Sequence, residues 1–430
     1  MNIETIKSII LFVLVGISFM LTYILWSYQP NYDYFYDASY VNEVDIGGVE
    51  KSRNELIQPK QIVFRNENNI FSFIDPKDEE GFYQEISSVV LYNYQILDAS
   101  GRPDSDEYIE IIYPTAIPVE VIISLFTFED GVVTPNWSFE RIFLTKNEQN
   151  RTIQLIVLSE DGNKQLTATI EKTETYEQFE TLIEGHSLLE EYVVVDEENP
   201  IYIPKNEIKL PSKTLVAGWI EPEEFVNALF ANPNLVTSNM KEAYFTDGQR
   251  GMRILDDGRK LEFINPIQST VEEDSTPLQL IDQSITNINE HKGWTNNFVL
   301  DDIDLNENKI TYRLYYDGYP IYDFAALSVM KQAWKGQVLF EYERPLIQVG
   351  NLLNIQEKEL LSGENLMDAL ENNRNYDLED VQDIVLGYEL NYVWDNHSLV
   401  LEPNWYIKYD DDWMKYHSTE DENLSVEGGD

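Results

Sequence analysis

RTIQLIVLSEDGNKQLTATI, residues 151–170, decides the fold class. Its first limb, 151–158, is rich in β-branched and aliphatic residues, which suit a pleated, half-buried strand. Asp161-Gly162-Asn163 then supplies a turn, because glycine reaches positive φ without steric cost. A second limb follows over 165–170, so the stretch predicts an antiparallel hairpin.

Strand chemistry of the same kind precedes it at 61–64, at 119–128 (VEVIISLFTF) and at 138–144. After it, a helix is predicted from about Thr175 to Ile183, with Tyr176, Phe179, Leu182 and Ile183 on one face and Gly185 at its end. DEENPIYIPKNEIKLP, residues 196–211, carries three prolines and mixed charge and reads as a connection. Pro222 suits the first turn of a helix to Phe230 that buries Phe225, Val226, Leu229 and Phe230, and Asn232-Pro233 stops it. MRILDDGRKLEFI, residues 252–264, predicts a second hairpin about Asp257-Gly258. A further helix has Pro277 near its start, a stripe of Leu278, Ile281, Ile285 and Ile288, and Gly293 as its cap. Strand patterns then dominate at 309–316, 337–342, 384–394 and 398–409, interrupted by a helix about 365–371.

Hairpin-linked strands punctuated by single helices favour antiparallel sheets over a parallel α/β arrangement. The predicted class is therefore α+β, with three small domains at 59–205, 206–275 and 276–417, each a sheet with packed helices. A two-domain alternative has the second and third units sharing one core. The two helices at 225–234 and 366–375 share four identities in ten positions, which helix-capping chemistry produces without common ancestry.

Ahead of these units, residues 9–26 (IILFVLVGISFMLTYILW) carry no charge. Extended to Tyr28, the stretch has roughly the 20 residues that cross a hydrocarbon core. It ends in Tyr23, Trp26 and Tyr28 rather than in small residues, so a retained anchor at 9–28 is expected, not a cleaved signal peptide. Lys7 precedes the span, and no Lys or Arg follows it until Lys51, while Asp33, Asp37, Glu43 and Asp45 come first. The positive-inside bias leaves residues 1–8 in the cytoplasm and the bulk outside it. Residues 29–58 read as a spacer, and 418–430 as a disordered acidic tail.

The chain has 30 basic and 77 acidic residues, a net charge of −47. Lys7 and Glu4 cancel, so the whole of that charge falls after the span. Such a field repels nucleic acid and anionic headgroups. It suits either an exposed protein adapted to salty or alkaline surroundings or specific cation binding. With no cysteine, neither disulfides nor thiolate metal sites are possible.

No signature of catalysis is present: no P-loop, G-x-S-x-G, H-E-x-x-H or dinucleotide fingerprint. Catalytic, cofactor-binding and metal-binding residues are accordingly expected to be none. His186, His291, His397 and His417 lack paired spacing. Asp302-x-Asp304-x-Asn306 resembles the start of a calcium loop, but Glu307 replaces the required glycine and Arg313 stands where the bidentate Glu belongs, so an acidic turn between strands is expected. Pairs such as Glu223/Glu224 and the run 410–412 are unavoidable among so many carboxylates, and buried aromatic packing accounts for the tryptophans. Within the span, Ser18 and Thr22 share one face and Gly16 lies on another with Phe12, Phe19 and Tyr23. Ser18 and Thr22 either admit a partner helix or bond back to their own i−4 carbonyls.

The N-terminal run IETIKSIILFVLVGISFMLTYILWSYQPNYD, with GYPIYD at 318–323 and LEPNWYIKYDDDW at 401–413, resembles the YycH family. That resemblance implies an anchored regulator with a three-domain extracytoplasmic region, found in low-GC Gram-positive bacteria. Its implied partners are the WalK (YycG) sensor histidine kinase of a two-component system governing cell-wall metabolism and a YycI-like companion, met through membrane helices; Ser18, Thr22 and Gly16 are the expected contacts. No enzyme activity is implied. The alternatives are an extracytoplasmic wall-binding module and an anchored hydrolase without a recognisable motif.

Overall fold

Strands Thr152–Leu158 and Lys164–Ile170 pair antiparallel in register from Ile153↔Ile170 to Leu158↔Gln165, and Gly162 in the turn has φ +69°. The hairpin predicted from residues 151–170 is thus formed. The computed structural model describes residues 44–417 apart from 68, 130, 172, 186, 197–198, 240–242, 267–275, 324 and 373–376. The expected anchor at 9–28, with Gly16, Ser18 and Thr22, and the expected tail at 418–430 lie outside the described residues. Among the described residues no helix is long and apolar enough to cross a membrane.

Strands outnumber helices, as an α+β reading requires. The first sheet runs in the order Tyr202–Pro204, Leu189–Val194, Asn69–Phe73, Gln61–Asn66, Glu107–Pro118, Ser138–Asn147, Thr152–Leu158, Lys164–Ile170, Val90–Asp98, Thr127–Phe128. Only its last pair is parallel. The second sheet is built from strands lying between Ser212 and Lys415. Its strand Lys260–Ile264 pairs with Val338–Pro345, so residues from 206–275 and from 276–417 share one sheet. One apolar cluster runs through both sheets, from Ile46 and Phe64 to Tyr388 and Leu401.

Helix Thr173–Gly185 buries Tyr176 and Phe179, and helix Pro222–Leu229 buries Phe225 and Leu229. Helix Pro277–Asn289 begins with a capping box between Thr276 and Gln279 and buries Leu280, Ile281, Ile285 and Ile288, with Leu278 half-buried at the margin. Helix Gly363–Glu371 starts on Ser362, whose hydroxyl accepts from the Asn365 N–H.

Two elements differ from expectation. Residues 119–128 are not one strand: a 3₁₀ turn, Val119–Val121, leads into the short helix Ile122–Leu125. Their buried positions are Val119, Val121, Ile122 and Leu125 while Ile123 is exposed, a spacing that alternation in a strand would not produce. Helix Pro76–Ser88 was not predicted, although Asp75 caps it by accepting from the Lys77 N–H and Pro76 occupies its first turn. It buries only Tyr83 and Ile86, too few apolar positions for the period to stand out.

Candidate functional site

Among the described residues, polar side chains gather at a clamp on the chain's entry into the fold and in a cleft between the sheets, among other places. Residues 44–58, inside the stretch read as a spacer, are tied to the fold at several points and bury Ile46, Leu56 and Ile57. The Ile46 N–H donates to the His291 carbonyl (3.3 Å), and Val49 forms an antiparallel bridge with Trp294 (3.2 Å). Asn289 grips Lys51 from both sides: its Oδ1 accepts from the Lys51 N–H (3.0 Å) and its Nδ2 donates to the Lys51 carbonyl (2.9 Å). The same Oδ1 accepts from Trp294 Nε1 at 2.7 Å. Arg53 closes the clamp with a fork on Asp282, both contacts 2.6 Å. Burial holds the Lys51 ammonium below its usual pKa, and it donates to Asn297 Oδ1 and the Phe298 carbonyl.

Beneath this seam, the end of helix Pro277–Asn289 is closed by the Gly293 N–H donating to the Ile288 carbonyl, while Lys292, not Gly293, takes the left-handed conformation at φ +49°. Arg344, 0% exposed, donates to the Gly293 carbonyl (3.0 Å), Thr295 Oγ1 (2.9 Å) and Tyr342 OH (3.1 Å), and its guanidinium lies over Phe225 at 4.9 Å. His291 packs between Phe225 and Tyr342, and burial together with Arg344 pushes its pKa down to about 3, so the ring is neutral. It is a structural histidine. Gly48 is demanded by the close approach: a Cβ there would overlap the Lys292 carbonyl and meet the Trp294 carbonyl at 2.7 Å. Gly48→Val is expected to destabilise the protein by about 1–3 kcal/mol and to expose residues 46–51. Limited proteolysis would check it; an unchanged cleavage pattern would mean the clamp tolerates the side chain.

The cleft has a volume of about 340 Å³ and lies where Lys60 and Pro114 of the first sheet's region face the second sheet. It is walled by ion pairs: Arg313 forks onto Asp301 (2.9 and 2.7 Å), Lys60 meets Asp383 (2.6 Å) and Lys415 meets Glu389 (2.9 Å). The Arg313 guanidinium lies 4.3 Å from the centre of the Tyr322 ring, and that ring stacks on Tyr406 at 4.0 Å and 24°. Trp413 leans on Tyr322 at 5.2 Å. The two stretches 318–323 and 401–413 therefore meet here, though nothing in their linear order says so.

Other residues singled out in the sequence are structural or superficial. Asp304 Oδ1 accepts from the Asn306 and Glu307 N–H groups in the turn between strands Phe298–Asp304 and Lys309–Tyr316, as an acidic turn requires. His397 turns a hairpin at φ +50° and bonds Tyr392 OH at 2.7 Å, His417 is exposed, and His186 lies outside the described residues. Glu223 and Glu224 occupy the first turn of helix Pro222–Leu229, where the dipole favours them. Trp294, Trp334 and Trp405 are buried, but Trp219 and Trp394 are 37% and 51% exposed and flank Tyr392 edge-on. Glu262, Glu341 and Glu343 gather on neighbouring strands, where Lys260 pairs with Glu343 at 2.8 Å.

The N-terminal domain of YycH protein matches residues 4–185, and the C-terminal domain of YycH protein matches residues 198–422. A Bacillus subtilis (strain 168) protein described as two-component system WalR/WalK regulatory protein YycH is 23% identical over 448 residues, covering 95% of each chain. The crystal structure of YycH from Bacillus subtilis superposes with a TM-score of 0.72 at 19% identity, covering 86% of this chain and 98% of that one. That likeness shows a shared fold.

Proposed function

Because the chain belongs to the YycH family, we propose that it regulates a two-component system without chemistry of its own. The observation that carries this reading is the end-to-end match to a relative described as a WalR/WalK regulatory protein. In this proposal residues 9–28 anchor the chain, residues 29–430 lie outside the cytoplasm, and the partners are a WalK/YycG-like sensor histidine kinase and a YycI-like protein, both met through membrane helices. The clamp supports such a role, since the chain entering the fold is tied to helix Pro277–Asn289 within a few residues of Val44. Displacement reaching residues 46–53 would pass to helix Pro277–Asn289 through these contacts rather than being absorbed at that point.

The direct experiment reconstitutes kinase and response regulator in membrane vesicles and compares phosphoryl transfer with and without this chain. A change in either direction supports regulation; identical transfer at matched kinase levels overturns it. The helix contact is tested by replacing Ser18 and Thr22 together with Leu, beside a control carrying Ile at Leu11 and Val15. Bulky side chains would hold a partner's backbone away and remove two possible hydrogen bonds, each worth about 0.6–2 kcal/mol. Co-purification of the kinase should therefore fall but not vanish, with insertion unchanged because Leu is more apolar than Ser or Thr. Equal recovery of kinase with variant and control would assign the contact to another face, with Gly16, Phe12, Phe19 and Tyr23 next in line.

A further inference from the structure

Charge of both signs is concentrated in the cleft between the sheets. Five of the chain's 30 basic residues, Lys60, Arg313, Lys331, Lys408 and Lys415, line it beside seven carboxylates, Asp301, Asp302, Asp323, Asp383, Glu389, Asp411 and Asp412. Its inner carboxylates are already committed. Asp301 is held by Arg313, Asp383 by Lys60 and Glu389 by Lys415, and Asp323 accepts from the N–H groups of Ala325, Leu327 and Ser328. Lys331 and Lys408, both half-buried, form no ion pair among the described residues. Burial and the neighbouring Lys309 hold the Lys331 pKa below its usual value, with Glu343 opposing them. A cation so placed gains from any anion that reaches it.

Tyr406 adds an independent observation. It is 3% exposed, and its hydroxyl has no hydrogen-bond partner, which costs free energy in a protein interior unless something else supplies one. The groups that act on that hydroxyl, Glu389, Asp323 and Arg313, all belong to the cleft wall. At the surface three exposed carboxylates, Asp302, Asp411 and Asp412, line the same cleft, and the half-buried Trp413 follows Asp412. Half-buried unpaired cations and a buried unsatisfied hydroxyl, with exposed carboxylates beside them, are complementary to a molecule with an anionic head and a cationic tail. The cleft volume of about 340 Å³ lies at the lower end of the roughly 300–1,000 Å³ usual for small-molecule sites, which is room for a very short peptide.

We propose that this cleft binds a small zwitterion, an amino acid or short peptide, with its carboxylate toward Lys331, Lys408 and the Tyr406 hydroxyl and its ammonium toward Asp302 and Asp412. The assignment goes beyond the regulatory role and does not depend on it, since binding is read on this protein alone.

The test uses the full chain in detergent, titrated calorimetrically with Ala-Ala, N-acetyl-Ala-Ala, Ala-Ala amide and inorganic phosphate. Ala-Ala should bind, and each blocked peptide should bind at least tenfold more weakly. Tyr406→Phe should weaken Ala-Ala binding roughly tenfold by removing a hydrogen bond to a charged group, while leaving the melting temperature of the free protein equal or higher because a buried unpaired hydroxyl is lost. Lys331→Gln should weaken Ala-Ala and N-acetyl-Ala-Ala alike. Absence of heat at about 10 mM Ala-Ala, a threshold weaker than millimolar affinity, would overturn the proposal. So would equal binding of the N-acetylated peptide or of phosphate, which would make the site a plain anion site, and so would a Tyr406→Phe variant that binds as well as the parent.

Discussion

Replacing Glu110 by Ala is expected to lower the unfolding free energy by about 3–5 kcal/mol, the usual result of removing one partner from a buried ionic cluster. Glu110 is 0% exposed in the middle of strand Glu107–Pro118, opposite Val63 on one side and Phe143 on the other. Its carboxylate takes ion pairs from Arg102 and Arg141 and accepts from Tyr202 OH at 2.8 Å. It therefore ties the strand pair at the centre of the first sheet to the edge strand Tyr202–Pro204 and to the loop carrying Arg102. With Ala in its place, two guanidinium groups converge on no counter-charge and a buried phenol loses its acceptor. Both arginines are about a quarter exposed, 27% and 22%, so water recovers part of the loss and the lower end of the range is expected. The measurement is the shift in urea midpoint. Adding Arg102→Met and Arg141→Met to the variant should return much of the stability, because apolar groups of similar length need no counter-ion. A loss below about 1 kcal/mol for Glu110→Ala alone would show the cluster to be dispensable.

Arg344→Ala should cost a comparable amount, about 3–5 kcal/mol, for a different reason. Here there is no carboxylate partner to orphan. The guanidinium instead donates to the Gly293 and Pro345 carbonyls, Thr295 Oγ1 and Tyr342 OH and fills space over Phe225. Truncation leaves a cavity beneath residues 293–295 and removes the donor from all four acceptors. Since Val49 is bridged to Trp294, the loss should spread to the clamp: amide exchange at Ile46, Val49 and Lys51 should accelerate more than exchange in strand Thr152–Leu158. Arg344→Lys should be only a partial rescue, because a single ammonium cannot reproduce the planar fork. Uniform acceleration across the molecule would indicate global unfolding alone and separate Arg344 from the clamp.

Much of the α+β architecture was legible before any coordinates. Hairpins at Asp161-Gly162-Asn163 and Asp257-Gly258 followed from residues that tolerate positive φ, and helices at Pro222 and Pro277 from proline at their first turns. Such signals are local, set by the few residues that make the turn or the cap. The family was legible in the texture of 318–323 and 401–413, but their shared cleft was not, because Tyr322 and Tyr406 meet only across strands distant in sequence. Helix Pro76–Ser88 carries a readable cap but too few apolar residues for its period to be legible.

By itself, then, the sequence determined the net charge, the absence of thiol chemistry, the strand-rich class and the local turns, all of which depend on composition or on neighbours along the chain. Only the tertiary structure decided that 119–128 would bend into a 3₁₀ turn and a short helix, that Val49 and Lys51 would be gripped by Trp294 and Asn289, and that Glu110 and Arg344 would be buried charges. In each case the deciding partners are remote in sequence. An apolar run suits either a strand or a helix until the surface it must cover is in place, and a glutamate or arginine is tolerated inside only where partners from remote strands converge on it.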